Sequence, residues 1–184
     1  VFSDFTFYSE KEITYLVASS EFGIVVYSTI DGFVHIVSFC SNPQEINSIK
    51  IISSQKVGDL NDEILSISIT NTFGYIVVHS TKAITVITVN GSIVHYKKPL
   101  ETEIVALSSF TSDKGIDYIA TVDEKHRINF FKASDVTFCL KDFECPKIKK
   151  SEVVSSIRYD ILKRSFYVQT MSCKIFVFQH EISH

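Results

Sequence analysis

The sequence predicts an all-β fold: a β-propeller of about four consecutive four-stranded blades, the last incomplete, that forms part of a larger ring. Three observations support this fold class. Of the 184 residues, 45% are apolar and 12% aromatic, and the abundant β-branched and aromatic side chains favour strands. Short apolar runs recur in a fixed order between turn residues, and no long window shows a helical period. The runs Phe22–Phe39 and Phe73–Val89 nearly repeat each other, 51 residues apart.

Each repeat has one apolar run, then two runs joined by a tight turn, then a shorter outlying run. The predicted strands are, in the first repeat, Ile13–Ala18, Ile24–Thr29, Phe33–Phe39 and Ile49–Ile52; in the second, Ile64–Ile69, Tyr75–Ser80, Ala83–Val89 and Ser92–Tyr96; in the third, Ile104–Phe110, Ile116–Val122, Arg127–Lys132 and Val136–Leu140; in the fourth, Val153–Tyr159, Ser165–Thr170 and Lys174–Gln179. The first strands start 51, 40 and 49 residues apart, which is typical of propeller blades. We therefore divide a single partial propeller domain, residues 1–184, into blades at about 10–58, 59–99, 100–150 and 151–184.

The turns and the inner strands agree with this division. Asp31-Gly32 is a strong hairpin signal, because glycine adopts positive φ without steric cost, and Asn90-Gly91 marks the next hairpin. The inner strands are nearly continuous apolar runs, as expected of strands buried on both faces. The predicted core comprises Ile24–Val26, Ile76–Val78, Ile119–Ala120 and Tyr167–Val168.

Two alternatives concern the architecture. A β-sandwich also has short strands and frequent turns, but it does not explain a four-part repeat. The fourth blade lacks its last strand, while Asp4–Ser9 precedes the first blade as a lone strand. That strand could close a small four-bladed ring beside Lys174–Gln179, or the chain could be half of a larger ring; the missing initiator methionine favours the second possibility.

Composition and motifs argue against several functions. A net charge of −3 and a pI of about 6.1 give no basic surface for nucleic acid, so no nucleic-acid partner is predicted. The four cysteines, at positions 40, 139, 145 and 173, form no CxxC pair, and we expect buried reduced thiols. The chain has no phosphate loop, zinc helix or nucleophile elbow. We therefore predict a protein that is not an enzyme and needs no metal or cofactor.

Acidic residues recur where the first strands begin. Glu12, Glu63, Glu103 and Glu152 each precede the first apolar residue of a first strand, and Asp62 and Glu101 are neighbours. In a propeller these positions open on one face, so the six carboxylates form a candidate partner-binding rim that attracts basic segments of a protein. Two alternatives remain: a polar residue simply ends each loop, or the carboxylates hydrolyse glycosides as in propeller hydrolases.

The four repeats resemble divergent WD repeats. In that family the third strand ends in Trp-Asp and a Gly-His pair precedes the first strand. Here Val37, Ile87, Phe131 and Phe178 occupy the tryptophan positions, the chain contains no tryptophan, and the turn aspartate remains as Asp31 and Asp123. The resemblance implies a propeller without the hydrogen-bonded tetrad of standard WD repeats, so we expect its blades to hold by packing alone.

Residues Ile69–Val94, "ITNTFGYIVVHSTKAITVITVNGSIV", further resemble the C-terminal propeller of BEACH-domain proteins, the neurobeachin and lysosomal-trafficking-regulator group. Ile13–Gly32 repeats the pattern, and the resemblance covers roughly residues 10–135. It implies a large cytoplasmic scaffold protein of membrane trafficking, peripheral to membranes, which it would meet only indirectly. In that parent this chain would be a partner-binding module.

Overall fold

The computed structural model describes residues 8–42, 45–91, 94–145 and 147–179, which form four antiparallel sheets. Blade one contains β1 (Ile13–Ser19), β2 (Ile24–Thr29), β3 (Phe33–Asn42) and β4 (Glu45–Lys56); blade two contains β5 (Ile64–Ile69), β6 (Ile76–Ser80), β7 (Ala83–Ile87) and β8 (Val94–Pro99). Blade three contains β9 (Ile104–Thr111), β10 (Asp117–Asp123), β11 (Arg127–Lys132) and β12 (Lys141–Glu144); blade four contains β13 (Val154–Asp160), β14 (Ser165–Thr170) and β15 (Ile175–Gln179).

The predicted fold class is confirmed. Each strand pairs antiparallel with its neighbour in sequence, in sheets of four strands and, for blade four, three among the described residues. The first strands β1, β5, β9 and β13 contact one another in series, so the sheets stack as successive propeller blades and not as two large sheets of a sandwich. The proposed ring closure by Asp4–Ser9 involves residues 4–7, which lie outside the described residues.

One predicted strand was wrong. The fourth strand of blade three is β12, Lys141–Glu144, and not Val136–Leu140. Asp135 accepts hydrogen bonds from the backbone N–H and the hydroxyl of Thr137, which forms a turn instead of a strand. Val136 is fully buried between blades two and three, so its apolar character reflects packing and not strand pairing.

Three apolar clusters hold the blades together, one at each junction. Between blades one and two the cluster is aliphatic and includes Val26, Ile36 and Ile76, all fully buried. The cluster between blades three and four is aromatic: the rings of Phe130 and Phe166 lie 4.7 Å apart, centroid to centroid. Face-to-face burial of this kind is what lets a small twisted sheet be stable, since a single blade would leave both faces in water.

The predicted core residues are buried with two exceptions. Val25 and Tyr167 are only half-buried, although their neighbours Val26 and Val168 are fully buried. Side chains alternate between the two faces of a strand, so Val25 and Tyr167 lie on the faces of blades one and four that have no neighbouring blade in the described structure. The terminal faces are therefore less completely covered than the three junctions.

Polar contacts also join the blades, which corrects the expectation that they hold by packing alone. The buried carboxylate of Asp117 in blade three accepts hydrogen bonds from the backbone N–H groups of Thr72 and Phe73 in blade two, at 3.2 and 2.9 Å. Thr111 donates its hydroxyl to the same carboxylate at 2.6 Å. A buried carboxylate that is fully hydrogen-bonded in this way orients one blade relative to the next.

The predicted burial of the cysteine thiols is confirmed only in part. Cys145 is buried, and burial raises the pKa of its thiol to about 12. Cys139 is half-buried and Cys173 is exposed, and all three are free thiols. Cys173 lies in the turn between β14 and β15 with a positive φ of 62°, so its position follows from the turn and not from packing.

Buried His79, at the junction of blades two and three, predicts acid sensitivity. It is 2% exposed, and burial lowers its pKa from 6.5 to about 4, against an opposing hydrogen bond with the Ile104 backbone. Between these two values the unfolded chain binds a proton that the folded chain does not. Stability should therefore fall as the pH falls from about 6.5 to 4, by up to about 1.4 kcal/mol per pH unit. Urea unfolding at pH 7 and pH 5 measures this loss.

The His79→Gln variant is the comparison that isolates this group. It should lose less stability between the two pH values than the original chain, because glutamine does not titrate. His35→Gln is the comparison variant: His35 is only half-buried, and burial, opposed by the charge of Asp31, also lowers its pKa, so this change should reduce the pH dependence less than His79→Gln does. An equal loss in the original chain and in His79→Gln would contradict the assignment.

Candidate partner-binding face

The upper face of the propeller is the edge of the sheets at which the first strands begin and the turns between second and third strands lie. In the first three blades, a carbonyl group of this turn accepts a hydrogen bond from the segment that leads into the next blade. The N–H group of Gly58 donates to the carbonyl oxygen of Gly32, that of Leu100 to Lys82, and that of Cys145 to His126, at N···O distances of 3.0–3.1 Å. These contacts join the turns and the first-strand starts into one continuous face.

Three of the predicted glutamates occupy equivalent positions on this face. The carbonyl groups of Glu12, Glu63 and Glu103 each accept the N–H of the first residue in the adjacent turn, at 2.9–3.0 Å. In blade four the equivalent carbonyl belongs to Val153, which accepts from Met171 at 2.8 Å. The prediction that Glu152 is the fourth equivalent residue was therefore wrong by one position. The first strand of blade four begins at Val154, one residue later than expected.

Asp62 and Glu152 are buried, which corrects the expectation that both lie exposed on the rim. Asp62 is 7% exposed and accepts hydrogen bonds from the Thr81 hydroxyl and the Lys82 N–H, at 3.0 and 2.9 Å. Glu152 is 9% exposed and bonds the Lys174 ammonium and the Ser172 hydroxyl. Both carboxylates hold the turn of their own blade, so neither is available to a partner.

The pKa values of these two groups agree with that structural role. Burial acts to raise the pKa of Asp62, but hydrogen bonds from Ser80, Lys82 and Thr81 lower it below its ordinary value overall. The hydrogen bond from Lys174, assisted by Ser172, lowers the pKa of Glu152. Both groups are therefore held as carboxylates by the turns that they cap.

In blades one and three the capping carboxylate lies in the turn, as Asp31, or at the end of the strand that enters it, as Asp123. Asp31 accepts the Thr29 hydroxyl at 2.6 Å, a bond that lowers the pKa of Asp31. Asp123 accepts the N–H groups of Lys125 and Arg127, both at 2.9 Å. Each blade thus has one carboxylate at its upper turn. The sequence signal was the absence of an acidic residue in the turns "STKA" and "TMSCK", which predicts that the carboxylate comes from elsewhere.

Four of the six predicted site residues are exposed. The side chains of Glu12, Glu63, Glu101 and Glu103 are exposed at the starts of the first strands or in the segment that precedes β9. We call these four residues the acidic patch. They extend from blade one to blade three, and blade four contributes no member.

Sequence reasoning missed the exposed apolar side chains of the upper face. Ile30 is 48% exposed beside Glu12, and Leu60 is 84% exposed three residues before Glu63. In blade four, Val153 and Met171 are 60% and 70% exposed. Apolar side chains surrounded by charged residues are a common composition of protein-binding surfaces. The only sequence signal was an apolar residue inside a turn, as at Ile30 and Met171.

The described residues contain no cluster of three or more histidine, cysteine, aspartate or glutamate side chains that could hold a metal. The upper-face carboxylates whose pKa values are shifted, Asp31, Asp62 and Glu152, all have lowered pKa values. A glycosidase needs a carboxylic acid whose pKa is raised, so the glycoside-hydrolase alternative gains no support from these groups. None of the described residues forms a helix long and apolar enough to cross a membrane.

Comparison with known proteins defines the fold. No protein family and no curated protein sequence matches the chain. Among solved structures, Sqt1 of Saccharomyces cerevisiae is similar, with a TM-score of 0.71 and 14% identity over 94% of this chain and 52% of that chain. The β-propeller domain of Cps50 (Swd1) from Myceliophteria thermophila has a TM-score of 0.67, with 15% identity over 92% of this chain and 54% of that one. The WD40 domain of Pan2 from Neurospora crassa has a TM-score of 0.58, with 11% identity over 92% and 50% of the respective chains.

These similarities establish a β-propeller fold. The chain spans about half the length of these propeller structures, in agreement with four blades of a larger ring.

Proposed function

We propose that the chain is a non-catalytic protein-interaction module that binds a basic segment of a partner on its upper face. The observation that supports this function is the recurrence of Glu12, Glu63 and Glu103 at equivalent, exposed positions of three successive blades. Their fields add along one face, whereas a single surface carboxylate is largely screened at physiological salt. The neighbouring exposed apolar side chains Ile30 and Leu60 would supply contact area once the basic segment has arrived.

The resemblance of Ile69–Val94 to BEACH-domain propellers supports a more specific role. On that basis the parent protein is a cytoplasmic scaffold of membrane trafficking that meets membranes only through its partners. The β-propeller fold is compatible with this role and with many others, because fold alone does not define function.

Replacing Glu12, Glu63 and Glu103 together with glutamine tests the acidic patch. We expect the association rate of an arginine- and lysine-rich peptide to fall about tenfold or more at low ionic strength, because charge steering raises such rates by about 10–10³-fold. The dissociation rate and the free energy of unfolding should change little, since the three side chains are exposed. Stopped-flow fluorescence with a labelled peptide measures both rates.

The matched control removes the same charge from the lower face, at the opposite ends of the strands. It carries Glu21→Gln, Asp113→Asn and Asp135→Asn, which are all exposed substitutions. This control should associate with the peptide nearly as fast as the original chain. Equal rates for both triple variants would place the binding site elsewhere.

A further inference from the structure

A pocket of about 270 Å³ lies at the junction of blades two and three. Residues of β10 and β11 form its blade-three wall, the end of β8 forms its blade-two side, and the linking segment 100–102 runs along its top. Glu101 of this segment is exposed and belongs to the acidic patch, so the pocket adjoins the upper face. Its volume suits a single side chain, because pockets for small molecules typically measure about 300–1,000 Å³.

The blade-three wall of the pocket has a buried hydroxyl group without a partner. Thr121 is fully buried, and its Oγ1 has no hydrogen-bond partner among the described residues. It lies opposite Asn129 of β11 and Leu107 of β9, on the face of blade three that packs against blade two. Buried hydroxyl groups are nearly always hydrogen-bonded, so an unpartnered one in the wall of a pocket indicates a site for a polar group.

A buried carboxylate lies further along the same wall. Asp123 is 3% exposed, and its Oδ1 accepts the backbone N–H groups of Lys125 and Arg127, both at 2.9 Å. Among the described residues its Oδ2 accepts only the hydroxyl of Thr102, at a long 3.4 Å. Each carboxylate oxygen can accept two hydrogen bonds, so Oδ2 retains capacity for a further donor.

The charges around the pocket favour one additional cation. Asp123 and Glu101 contribute two carboxylates, and Lys98 contributes one ammonium group. Arg127 also lines the pocket, but its guanidinium is paired with Asp142 at 2.6 Å. The pocket therefore has one negative charge in excess, and a buried charge is stabilised when it is paired.

The shape and the acceptors of the wall favour arginine over lysine. Phe131 is 3% exposed and already holds a cation, since the Lys98 ammonium lies 4.4 Å from the centroid of its ring. Thr121 and Asp123 are two residues apart on one face of β10, a distance of about 7 Å along the strand. A planar guanidinium with five N–H donors can serve both acceptors, whereas a lysine ammonium is a compact point charge.

We propose that this pocket, which we call the arginine pocket, binds one arginine side chain of the basic segment. The guanidinium donates to the Thr121 hydroxyl and to Oδ2 of Asp123, and Glu101 contributes to the balance of charge. This inference rests on the proposed function, because the arginine belongs to the segment that the acidic patch attracts. The patch would set the association rate, and the pocket would set the dissociation rate and the preference for arginine.

Two labelled peptides of equal charge test the arginine pocket by stopped-flow fluorescence on the full chain. One is acetyl-Ser-Lys-Lys-Arg-Lys-Lys-Ser-amide, and the other has lysine in place of the arginine. We expect similar association rates, because the charge is the same, and about tenfold slower dissociation of the arginine peptide. Equal dissociation rates would overturn the arginine pocket.

Thr121→Val removes the unpartnered hydroxyl group with little change of shape. It should accelerate dissociation of the arginine peptide about tenfold and leave the lysine peptide unchanged. Thr85→Val is the matched control: Thr85 is 1% exposed and its hydroxyl also lacks a partner among the described residues, but it lies on the face of blade two toward blade one. Urea unfolding should show no loss of stability in either variant. Unchanged dissociation of the arginine peptide from Thr121→Val would contradict the assignment.

Protection of Cys139 locates the bound arginine. Its thiol is free and half-buried, and it lines the pocket. The arginine peptide should therefore slow alkylation of Cys139, measured by mass spectrometry, more than the lysine peptide does at equal occupancy. Equal protection by the two peptides would place the arginine outside the pocket.

The two rates separate this inference from the proposed function. Suppose that the Glu12, Glu63 and Glu103 triple variant associates as fast as the original chain, but still releases the arginine peptide more slowly than the lysine peptide. The acidic patch would then be wrong and the arginine pocket would stand. Slower association in the triple variant, with equal release of the two peptides, would retain the patch and overturn the pocket. No detectable binding of either peptide would contradict both.

Discussion

Replacing Ile76 with alanine is expected to lower the free energy of unfolding by about 2–5 kcal/mol. Ile76 is fully buried in the aliphatic cluster between blades one and two, where side chains of both sheets surround it. Its truncation removes apolar contacts and leaves a cavity that two rigid sheets cannot easily close. Urea unfolding followed by circular dichroism measures the loss.

Ile175→Ala is the matched control for this variant. Ile175 lies in a strand as well, but its side chain is 66% exposed. The same change there should cost less than about 1 kcal/mol, mainly through lower strand propensity. Similar losses at the two positions would show that Ile76 is not part of a tightly packed junction.

Gly32→Ala is expected to lower the free energy of unfolding by about 4 kcal/mol. Gly32 adopts a φ of 84°, which costs an L-residue about 1–2 kcal/mol. An added Cβ would also lie 2.1 Å from the carbonyl oxygen of Gly58, a backbone atom that cannot rotate away. Relieving such an overlap typically costs up to about 3 kcal/mol more. The variant should therefore also separate the upper turn of blade one from the segment that leads into blade two.

Gly23→Ala isolates the cost of the backbone conformation. Gly23 has a φ of 62°, but no atom outside its chain neighbours lies within 4 Å of a Cβ added there. The free energy of unfolding of this control should fall by only about 1–2 kcal/mol. If Gly32→Ala lost no more than Gly23→Ala, the close approach between Gly32 and Gly58 would not be a feature of the folded protein.

The strand pattern could be predicted because each blade uses the same physical rule. A strand buried on both faces needs a continuous apolar run, and the turn between paired strands needs residues such as Asp31-Gly32. Both signals are local, so they can be recognised without knowing how the sheets stack. The prediction failed at Val136, whose apolar side chain fills the junction of blades two and three from within a turn.

The candidate site was harder to predict because it depends on register and on side-chain partners. Glu152 resembles Glu103 in the sequence, but a shift of one residue moves it from the exposed position to the buried one. Asp62 is buried because it caps a turn in which no acidic residue is present. A carboxylate that caps a turn from a distant part of the sequence can be recognised only when the fold brings the two segments together.

Mapping the binding of an arginine- and lysine-rich peptide onto the backbone amides by NMR tests the upper face most directly. We expect shifts concentrated in the upper turns and first-strand starts, at residues such as Ile30, Thr81, Glu124 and Leu60. Amides of the lower turns, such as Phe22 and Lys114, should not move. The shifts should disappear in the Glu12, Glu63 and Glu103 triple variant. Shifts confined to the lower turns, or unchanged in that variant, would contradict the assignment of the upper face as the partner-binding surface.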